Sequence, residues 1–152
     1  MKKVIKDTPI TSVSLRRYEK PSSIEGRELV KKVCLSLGLL QPGDSRDVIV
    51  DILHVMLKEK KDLSSQEIMN LAIASREQHK LSKLGIAHSN VRRQIRRLRE
   101  LFLVEKKANV YRINENAKMK DIFEEKIEKL LLPSIHMRIK EYLELADKEF
   151  LS

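Results

Sequence analysis

The chain has 152 residues, a formal charge of +9, 35% charged residues, 41% apolar residues, 4% aromatics and no tryptophan. This is one domain with appendages and a core of Leu, Ile and Val, a composition suited to packed helices. A single cysteine rules out a disulfide framework and a thiolate zinc site and fits a reducing, cytoplasmic setting; no apolar run is long enough to act as a signal peptide or to span a membrane.

Residues 1–23 form a basic arm with a net +4 (six Lys/Arg against two Asp/Glu). Val13 and Leu15 alternate with Ser14 and Arg16, which predicts a short strand over 10–17 between Pro9 and Pro21. Two readings of Arg16, Arg17 and Lys20 stand side by side. They contact phosphates or a minor groove, or the arm packs on the body with its charges in water. Ser22 and Glu25 have capping-box spacing and predict a first helix with Leu29, Val30, Val33, Cys34 and Leu37 on its inner face. Gly38 is placed to end it in the left-handed conformation. Cys34 falls on the apolar face and reads as a small core residue.

Pro42-Gly43 marks a turn. A second helix is predicted from Asp44 or Ser45, with Asp47 in its first turn facing the positive end of the helix dipole. Val48, Ile49, Ile52, Leu53, Val55, Met56 and Leu57 give it the broad face of a central core helix. His54 lies near that face and reads as a packed histidine. After the extended piece Asp62-Leu63-Ser64, the Ser64–Glu67 pair repeats the capping-box spacing and opens a third helix carrying Ile68, Leu71 and Ala72. From Ser75 the pattern dissolves, and Gly85 stops whatever helix remains.

Residues 87–113 carry the strongest signal. Val91, Ile95, Leu98 and Phe102 share one face of a helix, and Ser89, Arg92, Arg93, Arg96 and Arg97 fall on the other. Residues 88–113 hold a net +6 (eight Lys/Arg against two Asp/Glu). Such a run is usually a solvated face. Here it is nearly all one sign and rich in Arg, whose planar fork suits phosphate and the guanine edge, so it reads as a nucleic-acid surface. An acidic protein partner is a further reading. An anionic membrane is disfavoured, because the apolar side has core spacing and no Trp. Two short strands follow, with a hairpin turn at Lys107-Ala108-Asn109 in which Asn109 can take positive φ.

Residues 114–152 carry a net −2 (seven Lys/Arg against nine Asp/Glu). They show two helical stripes, Ile122, Phe123, Ile127, Leu130 and Leu131, then Ile135, Ile139, Tyr142, Leu143, Ala146 and Phe150, with Pro133 interrupting or kinking the chain between them. The region forms an αα-hairpin over the core or pairs with a second subunit. His79, His88 and His136 show no ligand spacing with His54, and no catalytic or nucleotide-binding motif is present. The expectation is a mainly α chain with a small β-hairpin, without metal, cofactor or enzymatic activity. His88 opens the Arg-rich helix and either contacts a phosphate or marks the helix start.

The order helix, extended piece, helix, Arg-rich helix, hairpin over 46–113 resembles the winged helix-turn-helix superfamily of DNA-binding domains, small archaeal and bacterial regulators in particular. The match rests on Leu63-Ser64-Ser65-Gln66-Glu67-Ile68, on 85–98, and on wing strands at 101–105 and 111–113. The resemblance covers 46–113; with the N-terminal helix the winged domain is read as 24–113, flanked by the arm at 1–23 and by a C-terminal extension at 114–152 whose amphipathic stripes are candidates for dimerisation. The resemblance implies double-stranded DNA as partner and transcriptional regulation as function. The recognition helix would sit in the major groove, with Ser89, Asn90, Arg93 and Arg97 at the bases and Arg92 and Arg96 on phosphates. Lys106, Lys107 and Asn109 of the wing would meet backbone or minor groove, and Ser64 and Ser65 would offer a phosphate the free amides of a helix start. An RNA or chromatin module and a protein-interaction subunit are the alternatives. The chain departs from the pattern twice. The connection before the Arg-rich helix is long, so the third helix runs to about His79 or a loop is inserted at 76–84. Phe102 stands where a glycine commonly precedes the wing, so the left-handed turn is lost or the helix is prolonged.

Overall fold

A computed structural model describes residues 6–83 and 85–151. Met1 to Ile5 of the arm, Leu84 of the connection and Ser152 lie outside the described residues. The elements in order are α1 (Gly26–Ser36), α2 (Val48–Glu59), β1 (Leu63–Ser64), α3 (Ser65–Gln78), α4 (His88–Glu100), β2 (Val104–Lys107), β3 (Val110–Ile113), a 3-10 turn (Asn114–Asn116), α5 (Met119–Ile122), a π-helical stretch (Phe123–Leu131) and α6 (Leu132–Leu151). The protein is mainly helical, with one small antiparallel sheet in the order β1-β3-β2. Leu63 pairs with Tyr111, and Val104 with Ile113.

The central helix is α2, as its broad apolar face predicts. It packs on α1, α3 and α4, and Val50, Ile52 and Leu53 are completely buried. It starts at Val48 rather than at Asp44 or Ser45, because Asp44 instead accepts the amide of Arg46 (2.9 Å) in a local turn. Cys34 is buried against the same core, and burial pushes its thiol up to about 12, which keeps it unreactive.

Two predicted starts differ in outcome. The Ser64 box forms: its Oγ accepts the Glu67 N–H at 3.1 Å and Glu67 Oε1 accepts the Ser64 N–H at 3.1 Å. The Ser22–Glu25 box does not form. Glu25 is extended and Gly26 sits at φ 61°, so there is no right-handed turn at Ser22 to cap.

The predicted strand over 10–17 is also absent. The arm runs extended across the end of α1. The Arg16 N–H donates to Ser36 O (2.9 Å), and its guanidinium donates to Leu35 O (2.9 Å), Leu40 O (3.1 Å) and Gln41 Oε1 (2.7 Å). A cation thus satisfies carbonyls at a helix C-terminus, where the dipole favours it. Arg16 is thus packed on the body, but with its charge on carbonyl groups rather than in water. Gly38 takes φ 72°, and a Cβ there would lie 2.2 Å from Ser14 O; both the turn and the close arm require glycine.

The body is locked by a cluster of charges that sequence reasoning did not single out. Arg27 on α1 donates to Asp51 (2.9 and 3.0 Å) and pairs with Asp47 (3.0 Å). Arg76 on α3 reaches Asp47 and Asp51, both at 2.8 Å, and Ser75 Oγ donates to Asp51 at 2.8 Å. Asp51 is wholly buried and Arg76 is 1% exposed. Burial alone would raise both carboxyl pKa values. Hydrogen bonds from the two arginines, with Ser75 at Asp51, outweigh burial and hold them below the ordinary value. Asp47 therefore serves the cluster rather than only the dipole.

Phe102 settles the second departure. It adopts φ 63°, Leu103 N–H donates to Leu98 O (3.1 Å), and Asn114 Nδ2 donates to Phe102 O (2.9 Å). The left-handed turn is present without glycine, and β2 begins only at Val104, not at Leu101. In the hairpin, positive φ falls on Ala108 (52°), not on Asn109. Ala108 is the first of the two central turn residues between the paired Lys107 and Val110.

The αα-hairpin alternative is not what forms. Winding continues from Met119 to Leu151 without a turn. Upstream of Pro133 the chain widens to π geometry, and Leu132 N–H reaches Ile127 O. Wider winding accommodates a residue that lacks an N–H and crowds the preceding turn, and Ser134 Oγ donates to Leu131 O (2.8 Å). Ile122 and Ile127 are buried. Beyond them α6 packs chiefly on the helical stretch before it and has no buried residue.

Candidate nucleic-acid interface

The geometry of α4 starts from its three core residues. Val91 and Leu98 are completely buried and Ile95 nearly so, each worth roughly 1.5–3 kcal/mol. They seat the helix on α2 and α3, and the 3.6-residue period then decides what faces outward. Ser89, Arg92, Arg93 and Arg96 are exposed and Arg97 is half-buried. Arg99 is exposed on the same helix. The helix is presented with its cations in water and its apolar stripe covered.

The long connection resolves into a longer helix and a tethered loop. α3 runs to Gln78 and ends with Lys80 at φ 54° and Leu81 N–H on Arg76 O (2.8 Å). Arg76 Nε also donates to Ser82 O, so the buried cluster anchors the loop. On the other side Asn90 Nδ2 donates to Gly85 O at 2.6 Å, and Asn90 Oδ1 accepts from Gln94 Nε2 at 3.1 Å. Gln94 Oε1 in turn accepts from Arg97 Nη1 at 2.9 Å. Asn90, placed at a base edge by the resemblance, thus has its amide engaged on both ends. It orients Arg97 through Gln94, a residue that sequence reasoning passed over.

His88 joins two helix starts. Arg92 Nη2 lies 3.2 Å from His88 Nδ1 and Ser65 Oγ lies 3.3 Å from His88 Nε2. Arginine only donates, so Nδ1 is the acceptor and the ring N–H at Nε2 faces Ser65. This contact orients Arg92 and occupies the Ser65 hydroxyl. Ser64 has both its N–H and its hydroxyl engaged by the capping box, which places the Glu67 carboxylate at that helix start. Hydrogen bonds from the Ser64 backbone and then its side chain hold the Glu67 pKa low. A phosphate arriving there would meet an anion, so Ser64 is a structural cap in this fold.

The hairpin β2–β3 carries Lys106, Lys107 and Asn109, all exposed. Lys106 Nζ lies 5.8 Å from the Tyr111 ring centroid, which holds it beside the strand. Arg112 faces Glu105 across the ladder and forms an ion pair with it, so its charge is neutralised. Arg93 and Arg97 share a cleft of about 570 Å³ with Gln41, Asp44 and Arg46 from the loop before α2. Arg46 brings a third arginine to this cleft across a chain separation that no local motif reveals, and Asp44 sets a carboxylate beside it.

Among the described residues no cluster of His, Cys, Asp and Glu is placed to hold a metal ion, and no helix is long and apolar enough to cross a membrane. No protein-family profile matches the chain, and no curated protein or solved structure is similar enough to match it.

Proposed function

We propose that this protein is a winged helix-turn-helix regulator that binds double-stranded DNA through α4 and acts as a homodimer. The observation that carries the reading is the presentation of α4. Arg92, Arg93 and Arg96 stand exposed opposite a fully buried Val91–Ile95–Leu98 stripe, with the Lys106–Lys107 hairpin following in the chain. A helix of this size fits a major groove, and Arg pairs bidentately with guanine O6 and N7. Arg93 and Arg97 are assigned to base edges, with Ser89 beside them. Arg92 and Arg96 are assigned to phosphates, and Lys106, Lys107 and Asn109 to backbone or minor groove. Asn90 positions Arg97 and the connecting loop.

Dimerisation is assigned to α6. Ile139, Tyr142, Leu143 and Phe150 lie on one stripe of this helix and are 51–76% exposed. A symmetric pairing of two such stripes would cover them and set the distance between two α4 helices. The deciding experiment is selection of bound duplexes from a random pool at a stated salt concentration. A palindromic motif supports both sequence reading and the dimer. Recovery of unselected sequence, with equal binding of single strands and RNA, would replace sequence reading by a structure-directed role.

A further inference from the structure

Helix α6 has no buried residue, yet its apolar stripe is laid out with an internal symmetry. The stripe consists of Ile135, Ile139, Tyr142, Leu143, Ala146 and Phe150. About the midpoint between Tyr142 and Leu143, Ile139 and Ala146 are equally distant in the chain, and so are Ile135 and Phe150. Read in either direction, the stripe has the same spacing. The arm at 6–11 borders its first half across a space of about 540 Å³ and leaves Ile139 51% and Tyr142 69% exposed.

The charges of α6 are divided about the same midpoint. From Leu132 to Lys140 the helix holds Arg138 and Lys140 and no carboxylate. From Glu141 to Leu151 it holds Glu141, Glu144, Asp147 and Glu149 against Lys148 alone. At about 100° per residue, Arg138 and Glu149 fall on one edge of the stripe, about three turns apart. Lys140 and Asp147 fall on the other edge, about two turns apart. All four are exposed, and each edge runs from a cation to an anion. Arg138 pairs with Glu141 of its own helix at 3.2 Å; an exposed pair of this kind is worth little and does not commit the guanidinium.

We propose that α6 pairs antiparallel with α6 of a second copy, about a two-fold axis passing between Tyr142 and Leu143. The inference rests on the reading of α6 as the dimer helix and adds the direction in which the two helices run. Tyr142 then faces Leu143 of the copy, Ile139 faces Ala146 and Ile135 faces Phe150, so apolar meets apolar along the whole stripe. A two-fold axis normal to an antiparallel pair sets each edge against the same edge of the copy, with its order reversed. Arg138 meets Glu149, and Lys140 meets Asp147. A parallel pair sets each edge against the other edge at equal height. Arg138 would meet Lys140 and Asp147 would meet Glu149, and such like-charge contacts oppose association. The twenty residues of α6 make a rod about 30 Å long, and antiparallel pairing puts the two bodies at its opposite ends.

Sedimentation of the unmodified full chain should show a dimer; a monomer throughout the concentration range overturns the dimer reading and this inference together. The direction is tested separately, with Ile135→Cys and Phe150→Cys treated alone and as a mixture with a short bismaleimide. Cys34 is fully buried and stays out of the reaction. Only the mixture should give a linked dimer, because two copies of position 135 lie about 22 Å apart along an antiparallel pair. Linkage of each variant to itself, or no linkage in a mixture that sediments as a dimer, overturns the antiparallel pairing and leaves the dimer reading standing. Arg138→Glu with Lys140→Glu should raise the dimer dissociation constant at least about tenfold. Adding Asp147→Lys and Glu149→Lys should restore it, with circular dichroism showing the same helix content in both variants. A parallel pair predicts no change from either set, and an unmoved dissociation constant overturns the proposal.

Discussion

Helices α2 and α6 are both rich in apolar residues and use them in opposite ways. α2 buries eight of its twelve residues, whereas α6 buries none of its twenty. An apolar stripe therefore does not by itself say that a helix is buried within its own chain. What separates the two helices is their surroundings. α2 is enclosed by α1, α3 and α4 and is tied to two of them by the Arg27–Asp47–Asp51–Arg76 cluster. The Arg138–Glu141 ion pair of α6, at 3.2 Å, is local and exposed.

The sharpest way to break this contrast is to open the cluster. Arg76→Ala leaves two buried carboxylates with one arginine and frees the loop at Ser82. It should cost about 3–5 kcal/mol in urea unfolding; a loss below ~1 kcal/mol would mean that apolar packing alone holds the body. Acid should act on the same site. The Asp47 and Asp51 pKa values are lowered in the folded state, so the unfolded chain takes up protons first. Their contribution is fully present above the unfolded carboxylate pKa of about 3.9 and is lost as pH falls through the folded values. Urea midpoints measured between pH 6 and pH 2 should fall at the acid end, and less steeply in the Asp51→Asn variant.

Smaller effects should separate base reading from general attraction. Arg93→Ala should cost about 1–3 kcal/mol on the selected site while leaving unfolding unchanged. Equal losses on selected and random duplexes would remove Arg93 from the bases. Lys107→Ala should weaken all duplexes alike and lower the salt slope by about one. The smallest effect on folding is expected at the far end of the comparison. Tyr142→Glu should change the stability of the isolated chain by under ~0.5 kcal/mol and yet shift sedimentation from dimer to monomer. A large loss of helix on that substitution would show that α6 is supported by its own chain.

Sequence by itself determined the elements whose signals are local. Helical periodicity located α2 and α4 and put Val91, Ile95 and Leu98 on the buried face of α4. Phe102, read onto that face, falls beyond the helix end, and Val50 and Asp51 of α2 are buried outside the predicted face. The Ser64–Glu67 spacing located the start of α3, and the polar break at 105–109 located the hairpin. These are properties of neighbours within one or two turns, and the chain expresses them wherever it is placed. Tertiary structure decided the rest, because the deciding partners are distant. Asp51 meets Arg27 and Arg76 across 24 and 25 residues, and no local spacing links the three. Arg16 became a helix-end clamp, Ser64 a closed cap and Asn90 a tether for Gly85 only once those groups were brought within hydrogen-bond reach. Phe102 took a conformation suited to glycine because the turn at 101–103 is fixed from both sides, by Leu98 and by Asn114. The two C-terminal stripes fused into one continuous helical stretch because π winding absorbed Pro133, which by local rules ends a helix.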